Sequence, residues 1–184
     1  MISAIIYNST TGSCEKYARE MSRKLAIPCY PASKNPLPAG MEIVYIGCLM
    51  NGKVAGLAKA RKDYDVKAVV QVGMGAPYAS AEATCREKND LGSGIAVFTM
   101  QGAFNMARLP LPMQLIMKVV NKDIVKKLEA KKAKSGLTAA EEATLTMAST
   151  GKGEPATWDD IQVAVDWVVK QFDPPEVIKW HEPT

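Results

Sequence analysis

The sequence is poor in the side chains on which many catalytic and metal sites depend. It has a single histidine, His181, and four cysteines that form no Cys-x-x-Cys pair, at Cys14, Cys29, Cys48 and Cys85. This spacing fits neither a zinc site nor a disulfide framework. We therefore predict that the chain holds no metal, and no side chain stands out as a catalytic acid, base or nucleophile.

Long apolar runs are lacking as well. No stretch approaches the length of a membrane span, and the apolar segment at the start has no basic residues before it, unlike a signal peptide. Unpaired cysteines suit a reducing compartment, so the sequence predicts a cytoplasmic protein. The formal net charge is +4, and we expect no nucleic-acid partner.

Short apolar segments alternate with amphipathic ones along the chain. The apolar segments predict strands at 4–8, 28–31, 42–48, 68–72 and 95–100, and the amphipathic ones predict helices at 14–25, 54–62, 80–87, 112–132, 139–147 and 158–172. Such alternation is typical of an α/β fold with a parallel sheet covered on both faces. We expect one domain over residues 1–172, with a helical insertion at about 105–150, followed by a surface tail at 173–184.

The loop after the first predicted strand is crowded with hydroxyl groups. It consists of Ser9, Thr10, Thr11, Gly12, Ser13 and Cys14. It precedes a helix, whose first N–H groups and partial positive charge suit a phosphate. The loop has neither the Gly-Lys-Ser/Thr ending of a Walker A motif nor the three spaced glycines of a dinucleotide fingerprint. The alternative is that the hydroxyls only cap the helix.

This region resembles the signature of the flavodoxin family. The matching residues are Ile5, Ile6, Tyr7, Ser9, Thr10, Thr11, Gly12, Ser13 and Ala18, and the departure is Cys14, where the family usually has threonine. The resemblance implies FMN as the cofactor, with its phosphate in this loop. It also implies a doubly wound, five-stranded parallel sheet of order 2-1-3-4-5, with the ligand beyond the carboxyl ends of the strands.

The resemblance also assigns three further segments to the cofactor. Leu49, Met50, Asn51 and Gly52 follow the third strand and would cover one face of the flavin, with a peptide flip at Asn51-Gly52. Gly75, Ala76, Pro77 and Tyr78 follow the fourth strand and would hold the pyrimidine edge, with Tyr78 stacked on the ring. Gln101 and Gly102 follow the fifth strand. The alternatives are a plain turn that opens a helix at Val54, and a Tyr78 ring that packs beside Pro77.

The second half of the chain resembles the flavodoxin-domain group that includes menaquinone-dependent protoporphyrinogen dehydrogenase. The short matches are Leu115-Ile116-Met117-Lys118, Gly151-Lys152-Gly153-Glu154 and Thr157-Trp158-Asp159-Asp160. The chain departs from that group by inserting a lysine-rich helix and a second helix at 139–147. The substrate of that group is therefore not carried over to this chain.

The segment between Leu109 and Lys134 combines apolar residues with many lysines. It could make a peripheral membrane contact, in which apolar residues insert and lysines meet anionic headgroups. Alternatively, Leu115, Ile116, Val119 and Val120 pack on the sheet. The sequence thus leaves three functions open: an electron-transfer flavoprotein with a protein partner, a quinone-linked FMN oxidoreductase, and a flavodoxin-shaped protein without flavin.

Overall fold

The protein has a three-layer α/β architecture. The computed structural model describes residues 1–34 and 36–171, and both the predicted tail at 173–184 and His181 lie outside them. In chain order the elements are β1 (Ala4–Asn8), α1 (Ser13–Leu25), β2 (Cys29–Pro31), β3 (Glu42–Met50), β4 (Lys53–Val54), α2 (Leu57–Asp63), β5 (Asp65–Gly73), α3 (Ala81–Asn89), β6 (Ala96–Gln101), β7 (Phe104–Asn105), a 3-10 turn (Met106–Arg108), α4 (Leu111–Ser135), α5 (Ala139–Thr150), β8 (Lys152–Gly153) and α6 (Ile161–Gln171).

Five parallel strands form the central sheet in the order β2-β1-β3-β5-β6. The neighbouring strands pair in parallel throughout, and β4 is a short antiparallel addition to β3. Counted without β4, this is the predicted order 2-1-3-4-5. The prediction of a doubly wound sheet of flavodoxin-like type, with extra helices before the last one, is therefore confirmed.

Successive residues of β1 enter opposite sides of the sheet, as strand geometry requires. Ile5 belongs to the core beneath α1 and α6, where it joins Met21 and Val165. Ile6 belongs to the second core with Leu57 of α2. Burial on both faces explains why the strands read as continuous apolar runs.

The start of the second predicted helix is wrong, because β3 continues into a β-hairpin. Leu49 pairs with Val54 across this hairpin. Asn51 and Gly52, with φ values of 50° and 78°, form its two-residue turn. Positive φ at both central residues marks a type I′ turn, for which Asn-Gly is the favoured pair. The helix therefore begins only at Leu57.

The last helix also begins later than predicted, at Ile161. Trp158 precedes it and packs on Tyr17 of α1, with ring centroids 5.0 Å apart. The Lys16 ammonium lies 3.6 Å from the centre of the Trp158 ring. The tryptophan thus joins the approach to α6 to the first helix.

The insertion is a helical hairpin of α4 and α5. Thr138 caps α5 in a capping box with Glu141, as the sequence predicts, and Lys131 of α4 pairs with the Glu141 carboxylate. The residues expected to pack on the sheet do not do so. They are exposed on α4, by 65% at Leu115, 55% at Ile116, 73% at Val119 and 41% at Val120. Within the described ranges, no helix is both long enough and apolar enough to span a bilayer.

Candidate functional site

Four loops meet at the carboxyl edge of the sheet. The hydroxyl of Ser13, at the start of α1, donates to the Ala103 carbonyl at 3.2 Å. The Gly102 N–H, after β6, donates to the Gly73 carbonyl at the end of β5 over 2.7 Å. Segments predicted to share a site on sequence grounds are thus joined directly, at the edge where α/β sheets of this type bind ligands.

The first loop turns at Gly12, which adopts a left-handed conformation with φ 100°. Its N–H donates to the Ser9 hydroxyl at 3.1 Å, and α1 starts at the next residue. Among the described residues, no side chain caps this helix. The alternative in which the loop hydroxyls are helix caps is therefore wrong. The first turn of α1 keeps the uncapped N–H groups that an anion requires.

Arg108, which sequence reasoning missed, lies at the rim of this loop. Its guanidinium donates to the Thr11 carbonyl at 3.1 Å and comes within 3.7 Å of where a Cβ on Gly12 would stand. Asn105 holds the preceding 3-10 turn by accepting from the Ala107 N–H at 3.1 Å. An exposed cation is thus fixed beside the helix N-terminus, although 97 residues separate it from Thr11 in sequence.

Two predicted site residues lie beneath the loop surface. Ser13 is only 5% exposed, and its hydroxyl is already used on Ala103. Gly102 lets the loops approach closely, because a Cβ there would stand 2.7 Å from the Val72 side chain and 3.0 Å from the Ser13 hydroxyl. These positions shape the site through the backbone and not through their side chains.

The Gln101 side chain is buried, with 1% of the residue's surface exposed, and it bonds to several segments of the chain. Its amide nitrogen donates to the Met74 carbonyl at 3.2 Å, the Ala140 carbonyl at 2.8 Å and the Thr144 hydroxyl at 3.0 Å. Its amide oxygen accepts from the Ala156 N–H at 3.0 Å. The side chain predicted to contact a cofactor is therefore bonded within the protein, where it connects α5 to the loop at residues 74–80 between β5 and α3, called the third loop below.

The β3–β4 hairpin forms one wall of the edge. The half-buried Leu49 lies 3.7 Å from where a Cβ on Gly73 would stand, and Met50 is 44% exposed. Asn89 of α3 fixes the turn by donating to the Gly52 carbonyl at 3.3 Å and accepting from the Val54 N–H at 2.8 Å. A peptide flip would convert the turn towards type II′, which favours glycine where Asn51 stands. The geometry thus opposes the predicted flip.

The third loop is the most open part of the edge. No atom lies within 4 Å of a Cβ placed on Gly75. Ala76 is half-buried and Pro77 exposed, and the Tyr78 side chain is 54% exposed where α3 begins. An exposed ring at this position leaves its face accessible to a ligand.

Two cysteines that are distant in sequence lie near the first loop. Cys48 packs against the core cluster that contains the buried Cys14, and its sulfur lies 3.6 Å from the Thr10 hydroxyl oxygen. The neighbouring Cys14 thiol, the Thr10 hydroxyl and nearby backbone N–H groups lower the pKa of Cys48 below that of an ordinary thiol, although burial opposes the shift. The neighbouring Cys48 thiol and burial raise the pKa of Cys14.

A cavity of about 430 Å³ lies between the end of β1 and α2, and its lining includes Ser9 of the first loop and Glu15 in the first turn of α1. The sequence did not predict it. Its lining includes Tyr7, Tyr64 and Lys59, and burial raises the pKa of Tyr7. Its volume falls in the range of small-molecule sites, but it lies apart from the hairpin and third loop that were predicted to hold a ring.

The described part of the chain contains no group of three or more histidine, cysteine, aspartate or glutamate side chains placed to hold a metal ion. In comparisons with known proteins, no family model matches the chain and no curated protein shows significant sequence similarity to it.

Proposed function

We propose that the protein is a cytoplasmic FMN-binding redox protein that transfers electrons through its flavin. The observation that carries this proposal is the anion site of the first loop: an uncapped α1 N-terminus, a glycine turn at Gly12 and the Arg108 guanidinium at its rim. A dianionic phosphate monoester matches this combination of N–H donors, hydroxyls and one positive charge.

The loop residues would share the phosphate oxygens among them. Ser9 accepts from the Gly12 N–H, so its own proton remains available for donation. Thr10 is exposed and Thr11 is half-buried, and both would add hydroxyl donors, for which the Thr10 hydroxyl would have to turn away from the Cys48 sulfur 3.6 Å from it. When bound, FMN would supply the redox chemistry. The side chains of Leu49, Met50 and Tyr78 would cover the ring and exclude water.

The test compares FMN with riboflavin, which lacks the phosphate. Titration of the purified protein should show much tighter binding of FMN. Arg108→Gln should weaken FMN binding about 10- to 150-fold, because a hydrogen bond to a charged group contributes about 1.5–3 kcal/mol, and should leave riboflavin binding unchanged. Arg23→Gln is the matched control, since Arg23 pairs with Glu20 on the surface of α1. Equal binding of FMN and riboflavin would refute the assignment.

A quinone-linked FMN oxidoreductase is the second candidate, and the exposed apolar face of α4 favours it. This face consists of Leu111, Leu115, Ile116, Val119 and Val120. Lysines continue along the helix at Lys118, Lys122, Lys126, Lys127, Lys131, Lys132 and Lys134. Apolar residues beside lysines are typical of helices that lie on anionic membrane surfaces. A soluble carrier would instead use the lysines to dock on an acidic partner protein.

Vesicle flotation distinguishes these two functions. With vesicles containing anionic phosphatidylserine, the membrane-linked function predicts co-flotation, which both Val119→Ser and Lys126→Gln/Lys127→Gln should reduce. Arg23→Gln again serves as the control. An absence of co-flotation, combined with salt-sensitive electron transfer to an acidic protein, would support the carrier and refute the quinone-linked function.

A further inference from the structure

We propose that the cavity beside α2 binds the adenosine half of a dinucleotide whose phosphates lie at the first loop, so that the chain takes up its FMN unit as part of FAD. This inference rests on the proposed flavin site and names its ligand more closely. Two observations carry it: the position of the cavity relative to that site, and the chemistry of the side chains that line the cavity.

The first loop lies between the cavity and the walls proposed for the flavin ring. The cavity is lined by Asn8 and Pro31, the last residues of β1 and β2. The walls proposed for the ring belong to β3 and to the loop after β5, which lie on the other side of β1 in the order β2-β1-β3-β5-β6. A ligand that occupies both sides must therefore cross the first loop, where the phosphate is proposed to lie.

The cavity and the first loop share residues. Ser9 lines the cavity, and its hydroxyl accepts from the Gly12 N–H at 3.1 Å in the loop. Glu15 lines the cavity too and belongs to the first turn of α1, the helix whose N-terminus is proposed to hold the phosphate. A diphosphate that begins at this N-terminus would thus leave the loop beside Ser9 and place the attached nucleoside in the cavity.

The charged side chains of the lining suit a ribose. Among the described residues, Glu15 and Asp63 contribute two carboxylates and Lys59 contributes one ammonium group. Carboxylates accept hydrogen bonds from ribose hydroxyls, as the acidic residue of dinucleotide-binding folds does. Arg19 contacts Oε1 of Glu15 at 2.7 Å, so Oε2 is the oxygen that would accept from a hydroxyl. Two carboxylates also oppose a further phosphate on the ribose, which favours an unmodified adenosine.

The size of the cavity and its aromatic side chains suit a base. Its volume of about 430 Å³ exceeds what a phosphate alone needs and falls in the range of small-molecule sites. Tyr7 and Tyr64 both line it, and aromatic rings offer a flat surface on which nucleic-acid bases stack. Ile6 and Ala60 add apolar surface to the lining. The cavity thus combines acceptors for a sugar with surfaces for a purine.

The experiment titrates the purified protein with FAD and, separately, with FMN. The wild-type chain should bind FAD at least about 10-fold more tightly, as one hydrogen bond to a charged group allows. Asp63→Ala should weaken FAD binding by a similar factor, and Ser33→Trp, which places a large side chain in the cavity lining, should weaken it further. Both variants should leave FMN binding unchanged. Asp123→Ala is the matched control, because Asp123 pairs with Lys127 on the surface of α4.

Two results would overturn this inference and leave the proposed function intact. One is FAD binding that is no tighter than FMN binding in the wild-type chain. The other is an equal loss of FAD and FMN binding in Asp63→Ala and Ser33→Trp. Failure of both flavins to bind would instead overturn the proposed function and this inference together. Because the comparison of FAD with FMN uses the wild-type chain, it decides the matter even if a variant fails to fold.

Discussion

Replacement of Gln101 by leucine tests whether this residue is a structural junction or a cofactor ligand. The side chain is buried, and its amide makes four hydrogen bonds, to Met74, Ala140, Thr144 and Ala156. Leucine has a similar size but cannot form any of them. The variant should therefore fold into the same sheet with a weakened connection between the third loop and α5.

The expected loss follows from those four bonds. A typical hydrogen bond contributes a net of about 1 kcal/mol to stability. The Thr144 hydroxyl lies within donating distance of both the Met74 and the Ala140 carbonyl, at 3.2 and 2.9 Å, so its single proton keeps one of these two acceptors partnered in the variant. We therefore expect the free energy of unfolding to fall by about 2–3 kcal/mol, less than the full sum. For a chain of this length that lowers Tm by about 4–12 °C.

Urea denaturation and thermal melting measure this loss. Gln162→Leu is the control, because Gln162 is exposed and bonds to Asp166 and Lys24 on the surface, and it should change stability by no more than about 0.5 kcal/mol. A double-mutant cycle with Thr144→Val should show coupling above about 0.5 kcal/mol, as for residues in one network. A Gln101→Leu variant of unchanged stability that has lost FMN binding would refute the structural role.

Three further substitutions test other parts of the structure. Gly52→Ala should destabilise the protein by about 1–2 kcal/mol in urea, because its φ of 78° is costly for any side chain, whereas Gly75→Ala has open space and should be nearly neutral. Asn121→Leu should raise Tm, since the buried Asn121 amide has no hydrogen-bond partner among the described residues and such groups cost about 1–3 kcal/mol. The Lys131 bond and the Thr138 N–H lower the pKa of Glu141, so its ionised form favours folding, and this stabilisation is lost as the pH falls through that lowered pKa. In acid titrations of stability, Glu141→Gln should lack this loss.

The five strands of the central sheet were predictable from their sequence and their order from the resemblance, but three short strands were not. Each long strand is an apolar run bounded by turn residues, and buried parallel strands carry that signal strongly. The strands β4, β7 and β8 have only two residues each, too few to show a period. The Asn51-Gly52 turn carries a hairpin signal, but the resemblance assigns it to the flavin, and the amphipathic segment after it favours a helix start at Val54.

The first loop of the site was predictable, whereas its distant partners were not. The hydroxyl pattern and the following helix are local features, so sequence reasoning identified them. Arg108 and Cys48 reach the loop only through the folded chain. The signal for Cys48 is topological: with β1 beside β3, the residues after Asn8 and Gly47 must lie close together. The exposure of Val119 on α4 could not be predicted from the neighbouring sequence, because an apolar residue gives the same sequence pattern whether the fold buries it or leaves it exposed.

The helical insertion at residues 105–150 contributes side chains to the candidate site. The 3-10 turn before α4 carries Arg108 to the Thr11 carbonyl, and Thr144 of α5 meets the Gln101 amide beneath the third loop. The β7–β8 pairing joins the start and the end of the insertion, at Asn105 and Lys152. Removal of residues 105–150 would leave the Gln101 amide without two of its partners and the α1 N-terminus without its nearby cation. Any contact that a membrane or a partner protein makes with α4 would therefore act on the same structural unit that positions the proposed anion site.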